Sequence, residues 1–178
     1  LFPYTTLFRS TRMHYATLKM QVMILIDLST VGSKEMEKIL LEDAILEETL
    51  SVGNYCNKKK IPAFVCFDYY GYKKLSINTY NEWNEFYMLC GKIPFESKLN
   101  NHELCTESKI WIKDVSNVII ITNNLNTNLY NELKYGYKES DVCVLLVVNK
   151  WEDEDKSKMS LFIESGINVR VIMATEEK

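Results

Sequence analysis

The 178 residues carry 21 Lys and Arg against 24 Asp and Glu, a formal net charge of -3, which gives no electrostatic footprint for a nucleic acid. At 47% hydrophobic and 25% charged residues the composition is that of a folded globular chain and excludes a disordered one. The longest apolar run, Val142 to Val148, is far short of the roughly 18 residues a membrane-spanning helix needs.

Leu1 to Ser10, L-F-P-Y-T-T-L-F-R-S, resembles the in-frame translation of a sequencing-adapter oligonucleotide and is set aside from fold reasoning. Residues 11–19 form an unplaced N-terminal remnant, and one domain is expected over residues 20–178. Its first element is Q-V-M-I-L-I-D-L-S-T, Gln21 to Thr30. Five consecutive apolar residues fit a strand buried on both faces, as in the middle of a parallel sheet. Asp27 and Ser29 follow directly, placing oxygen ligands at the edge where open α/β sheets carry their sites.

Ser33 is the expected N-cap of a long helix, with Glu35 and Glu37 in its first turn. That helix has two apolar stripes, one through Leu41, Ile45, Val52 and Cys56, the other through Met36, Ile39, Leu40, Leu46 and Leu50. A helix apolar around this much of its circumference is normally covered on two sides. Glu42, Asp43, Glu47 and Glu48 read as its solvated remainder, and Lys58-Lys59-Lys60 as cations suited to its C-terminal dipole.

Pro62 opens a second strand, Ala63 to Phe67, and Asp68-Tyr69-Tyr70-Gly71 reads as a turn into an antiparallel edge strand, Tyr72 to Ile77. Asn78 or Thr79 caps a helix through Trp83, Phe86, Tyr87 and Cys90, ended by Gly91. A further helix is expected over Asn101 to Lys113. Asn117 to Thr122 (N-V-I-I-I-T) is another buried strand, and Leu125, Leu129, Leu133 and Tyr137 mark an amphipathic helix. Asp141 to Val148 is a central strand. Glu152 to Asp155 begin a short helix stopped by Gly166, before a last strand, Asn168 to Met173.

Cys56, Cys66, Cys90, Cys105 and Cys143 contain no C-x-x-C pair, so free thiols in a reducing compartment are expected rather than disulfides or zinc. His14 and His102 have no partner set for a catalytic triad. The lone Gly32 after the first strand gives no dinucleotide fingerprint.

The alternation of strands and helices predicts an α/β, three-layer, Rossmann-like architecture: a mostly parallel six-stranded sheet with one antiparallel edge strand. This order, with Asp27-Leu28-Ser29 leaving the first strand, resembles the von Willebrand factor type A fold. Within it, the run from I-L-I-D-L-S through L-L-E-D-A-I-L-E-E-T-L-S-V to K-K-I-P-A-F-V is similar to the C-terminal region of the bacterial domain of unknown function 58 family. The resemblance implies a non-enzymatic protein-interaction domain, a MoxR-type AAA+ ATPase as partner, and a membrane anchor elsewhere in a full-length protein whose present domain is cytoplasmic.

Type A domains hold Mg²⁺ with a D-x-S-x-S loop, a Thr from a later loop and an Asp after the fourth strand. Asp27 and Ser29 match the first two positions, Val31 replaces the second Ser, and Asn123 stands in place of the late Asp. The loop expected to give the Thr offers only Ser97. A degenerate metal site of Asp27, Ser29 and Asn123 is therefore expected, with no resident cofactor and Mg²⁺ as the one ion the pattern admits. The rival reading is a haloacid-dehalogenase-like phosphotransferase with Asp27 as nucleophile and Thr122 on a later strand. It lacks the second acid two residues on, because position 29 is Ser.

Overall fold

The computed structural model describes residues 21–29 and 34–174. The readings made for residues 1–20, for Val31, Gly32 and Ser33, and for the chain end lie outside the described residues. The elements in order are β1 (Val22–Ile26), α1 (Glu35–Lys59), β2 (Ala63–Asp68), β3 (Tyr72–Ser76), α2 (Tyr80–Cys90), α3 (Asn101–Ser108), a 3₁₀ turn (Lys109–Asp114), β4 (Asn117–Thr122), α4 (Thr127–Gly136), β5 (Asp141–Val148), α5 (Asp153–Glu164) and β6 (Asn168–Met173). They form one six-stranded sheet in the order β3-β2-β1-β4-β5-β6. All neighbours run parallel except β2 and β3, which pair antiparallel with Cys66 opposite Lys74.

The period-2 alternation of the strands divides the core between the two faces of the sheet. Val22, Ile24 and Ile26 of β1 pack with Leu41, Ile45 and Cys56 of α1 and Phe86 of α2. Met23 and Leu25 face the other way, into a cluster with Leu104 of α3, Leu129 of α4 and Phe162 of α5. Two helices thus cover one face and three the other. Every residue of β1 is at most 1% exposed, and each fully buried large apolar side chain contributes about 1.5–3 kcal/mol. Burial on both sides is what fixes this strand at the centre.

Local chemistry sets the ends of the helices. Thr79 and Asn100 close reciprocal capping boxes with Glu82 and Glu103, each satisfying an orphan backbone donor. Asn78, the alternative cap, instead accepts from the Ala63 N–H. The helix start expected at Ser33 falls one residue later, with Lys34 at the N-cap position and no side-chain cap bond. The helix expected through Lys113 ends at Ser108. There the Ser108 hydroxyl donates back to the Leu104 carbonyl, a contact that bends helices, and the chain tightens into the 3₁₀ turn. The turn brings the centroid of the Trp111 ring to 3.6 Å from Lys74 Nζ, and the Phe64 ring lies 4.2 Å from the same ammonium.

All five cysteines are buried and free. Burial pushes the thiols of Cys56 and Cys90 up to about 12, and those of Cys66 and Cys143 up to about 11. Such thiols stay protonated and behave as small hydrophobes.

Helix α1 meets α2 at Gly53, where an added Cβ would lie 2.5 Å from Trp83 Cζ3 and 3.3 Å from Ile77 Cδ1. Alanine improves a helix interior by about 1 kcal/mol, but overpacking costs about 1–3 kcal/mol. Gly53→Ala is therefore expected to lower the urea midpoint and shift tryptophan fluorescence. An unchanged or higher midpoint would show that Trp83 yields freely.

Candidate functional site

The strand order reverses between β1 and β4: β1 is followed by α1 on one face and β4 by α4 on the other. Ligands of open α/β sheets bind in the crevice at the carboxyl ends of such strands. Asp27 stands one residue beyond β1 and Thr122 ends β4, so the first expected site residue occupies this position.

Here the crevice is closed by hydrogen bonds. Asp27 is 3% exposed. Its Oδ1 accepts from the Ser29 N–H at 3.1 Å and the Ser29 hydroxyl at 2.5 Å, and its Oδ2 accepts from the Thr122 hydroxyl at 2.6 Å. Thr122 Oγ1 in turn accepts from Asn101 Nδ2 at 3.2 Å, and Asn101 Oδ1 accepts from Asn126 Nδ2 at 3.0 Å. Asn126 also caps α4 through the Leu129 N–H. A continuous relay of donors therefore runs from the start of α4, through the first residue of α3, to one carboxylate. Burial raises the Asp27 pKa above its ordinary 3.8; the hydrogen bonds from Ser29 and Thr122 lower it but do not cancel that cost.

The structure brings Asp27 and Ser29 together, as the sequence pattern requires. From β4 the side chain that reaches them is Thr122, not its half-buried neighbour Asn123. Ser97 serves a different carboxylate, that of Asp68 at the end of β2. Its hydroxyl is shared between Asp68 Oδ2 at 3.0 Å and the Leu99 carbonyl at 2.6 Å. Asp68 Oδ2 also accepts from the N–H groups of Lys98 and Leu99, at 2.7 and 3.1 Å, and its Oδ1 accepts from the Gly71 N–H at 2.9 Å. Burial works to raise the Asp68 pKa, but these four donors outweigh it and the net direction is down. The sequence showed Asp68 only as a turn residue; the signal for more was a second acid at a strand's carboxyl end.

Among the described residues the donor set at the crevice does not fit Mg²⁺, a reluctant dehydrator that needs six hard oxygens in near-octahedral order. Among them it holds one carboxylate, which already accepts from three donors, and Asn123 is neutral. Among the described residues no group of three His, Cys, Asp or Glu side chains is placed to hold a metal. Glu152 to Asp155 serve the start of α5, where Glu152 and Asp155 form a capping box.

Beside the crevice, the turn after Asp68 presents Tyr70, 85% exposed, in the left-handed region at φ 50°. A side chain other than glycine is uncommon there and costs energy to hold. Tyr70 packs on Tyr69 at 4.9 Å between ring centroids, on the rim of a cleft of about 350 Å³ whose far wall holds Pro94, Glu96 and Lys98.

A group whose folded pKa is raised stabilises most below its unfolded value and loses that contribution as pH rises through the folded value. Asp27→Asn is therefore expected to melt above the parent at neutral pH, the difference vanishing as pH falls below the ordinary 3.8. A variant less stable at neutral pH would show that the charge is needed.

No family model matches the sequence, and no characterised protein matches it at the sequence level. Among solved structures the fold is similar to the crystal structure of the SpRpn10 VWA domain, with a TM-score of 0.59 and 10% identity over 88% of this chain and 89% of that one. Its mostly parallel six-stranded sheet, antiparallel edge strand and two helical layers make this chain a von Willebrand factor type A-like α/β fold.

Proposed function

We propose that this chain is a non-enzymatic protein-interaction domain that receives its partner at the carboxyl edge of the sheet without an intervening metal ion. The observation behind this reading is the closed Asp27 carboxylate, buried and bonded to Ser29 and Thr122. A degenerate metal site is the corresponding reading of Asp27, Ser29 and Asn123. In place of an ion, the edge offers Tyr70, an aromatic side chain held out beside a cleft, the kind of anchor that dominates interfaces. Backbone strain of this sort concentrates at functional sites.

The phosphotransferase alternative loses support from the same geometry. A nucleophilic carboxylate must be free to approach phosphorus in line, and Asp27 has donors on both oxygens. Ser29 adds no acid to protonate a leaving group.

From the resemblance of I-L-I-D-L-S and K-K-I-P-A-F-V to the domain of unknown function 58 family, which no family model matches, we further propose a MoxR-type AAA+ ATPase as the partner and a membrane anchor elsewhere in a full-length protein. Among the described residues no helix is long and apolar enough to cross a membrane.

The test is calorimetric titration of the purified chain with a MoxR-type ATPase. Saturable binding is expected, weakened at least about tenfold in Tyr70→Ala, a loss typical of a hot-spot residue. Binding indifferent to Tyr70, or none, overturns the docking edge. Millimolar Mg²⁺ is expected to leave the melting temperature unchanged, and a rise abolished by Ser29→Ala would restore the metal site. With a general phosphatase substrate no turnover is expected; turnover lost in Asp27→Ala would make the chain an enzyme.

A further inference from the structure

The second apolar stripe of α1 is only partly covered. Leu46 and Leu50 pack beneath α2 at the margin of the core, but Ile39 and Met36, about two and three turns before Leu46, are exposed. Between α1 and α2 runs an open cleft of about 560 Å³, floored by Leu46, Leu50 and Trp83 and walled by Tyr87. It continues past Tyr87 into a second cleft of about 390 Å³ reaching Met88. Met36 is 61% exposed and Met88 58%. An unbranched, polarisable methionine such as Met88 lining a groove suits a surface that must fit another helix.

Two acids are set into this stripe. Asp43 and Glu47 line the groove, exposed and four residues apart on α1, where like charges repel and weaken a helix. Neighbouring acids of the helix have lysines: Glu37 pairs with Lys34, and Glu42 with Lys38. Among the described residues Asp43 and Glu47 have no ion-pair partner. Among the described residues the one cation lining the groove, Lys92, sits at its end beyond Met88.

We propose that this groove docks an amphipathic helix from a partner protein that carries Lys or Arg beside its apolar anchors. The anchors fill the clefts over Leu46, Leu50 and Trp83, and the cations lie against Asp43 and Glu47. A second copy of this chain fits poorly, because a two-fold contact along α1 sets these two acids against their own images. Nucleic acid is excluded by the same charge. The groove lies on a helical face of the sheet and shares no lining residue with the Tyr70 cleft, so the proposal stands independently of the function proposed above.

The test uses two synthetic amphipathic helices of about five turns with one leucine pattern, one bearing lysines and the other glutamates on the flanks. Titrated into the full chain, the lysine peptide is expected to bind one site saturably, at least about tenfold tighter than the glutamate peptide. It is also expected to protect residues 43–54 and 83–92 from amide exchange. Combining Asp43→Lys with Glu47→Lys, both at exposed positions, should reverse the preference, and Met88→Glu should weaken binding to both peptides. Equal affinity for the two peptides, binding untouched by these substitutions, or no saturation at about 1 mM overturns the proposal. So does self-association abolished by Met88→Glu, which makes the occupant a second copy. Binding that appears only once residues 1–20 are removed also overturns it, by making the occupant a segment of this chain.

Discussion

The 2.6 Å hydrogen bond from Thr122 to Asp27 joins the two strands between which the winding of the sheet reverses. At that seam, helices depart to opposite faces and the carboxyl ends of β1 and β4 are left facing each other. In other α/β proteins the resulting crevice admits a ligand. Here a hydroxyl from one strand meets a carboxylate from the other, and Asn101 and Asn126 tie the starts of α3 and α4 to the same point. The positions of four elements at this edge depend on one acid's hydrogen bonds.

Asp27 and Asp68 show how environment divides two identical side chains. Both are nearly buried at the ends of neighbouring strands, yet their pKa values move in opposite directions. At Asp27 burial outweighs the three donors from Ser29 and Thr122, so the pKa rises although each of those bonds favours the anion. Three of the four donors on Asp68 are backbone N–H groups, which cannot reverse their polarity and so favour the anion. The first acid closes a crevice; the second fixes a loop.

Much of the fold was legible because its determinants are local and repetitive. Val22 to Ile26, Asn117 to Thr122 and Asp141 to Val148 are apolar runs that only a doubly covered strand accommodates, and Glu82 and Glu103 sit three residues after their caps. The site was legible only in part. Asp27 and Ser29 are close in sequence and met as expected, but Thr122 and Asn101 reach them across 95 and 21 residues respectively, the latter through Thr122. No spacing rule links such positions. Ser97, the hydroxyl offered by the loop expected to give the Thr, meets Asp68 for the same reason: two acids end adjacent strands, and only the path of the loop decides which one it meets. The break at Ser108 was hidden because the approach of Trp111 to Lys74 that accompanies it is not visible in periodicity.

The loop that Asp68 holds has a mechanical consequence. Ser97, Lys98 and Leu99 each give a donor to that carboxylate, and the Ser97 N–H is spent on the Leu28 carbonyl. To swing toward Asp27 the loop must surrender several hydrogen bonds worth about 1 kcal/mol each, or more to a charged acceptor. A segment so pinned is a wall and not a gate. A partner that meets residues 97–99 meets a surface of fixed shape, so recognition at that loop is a matter of fit already made.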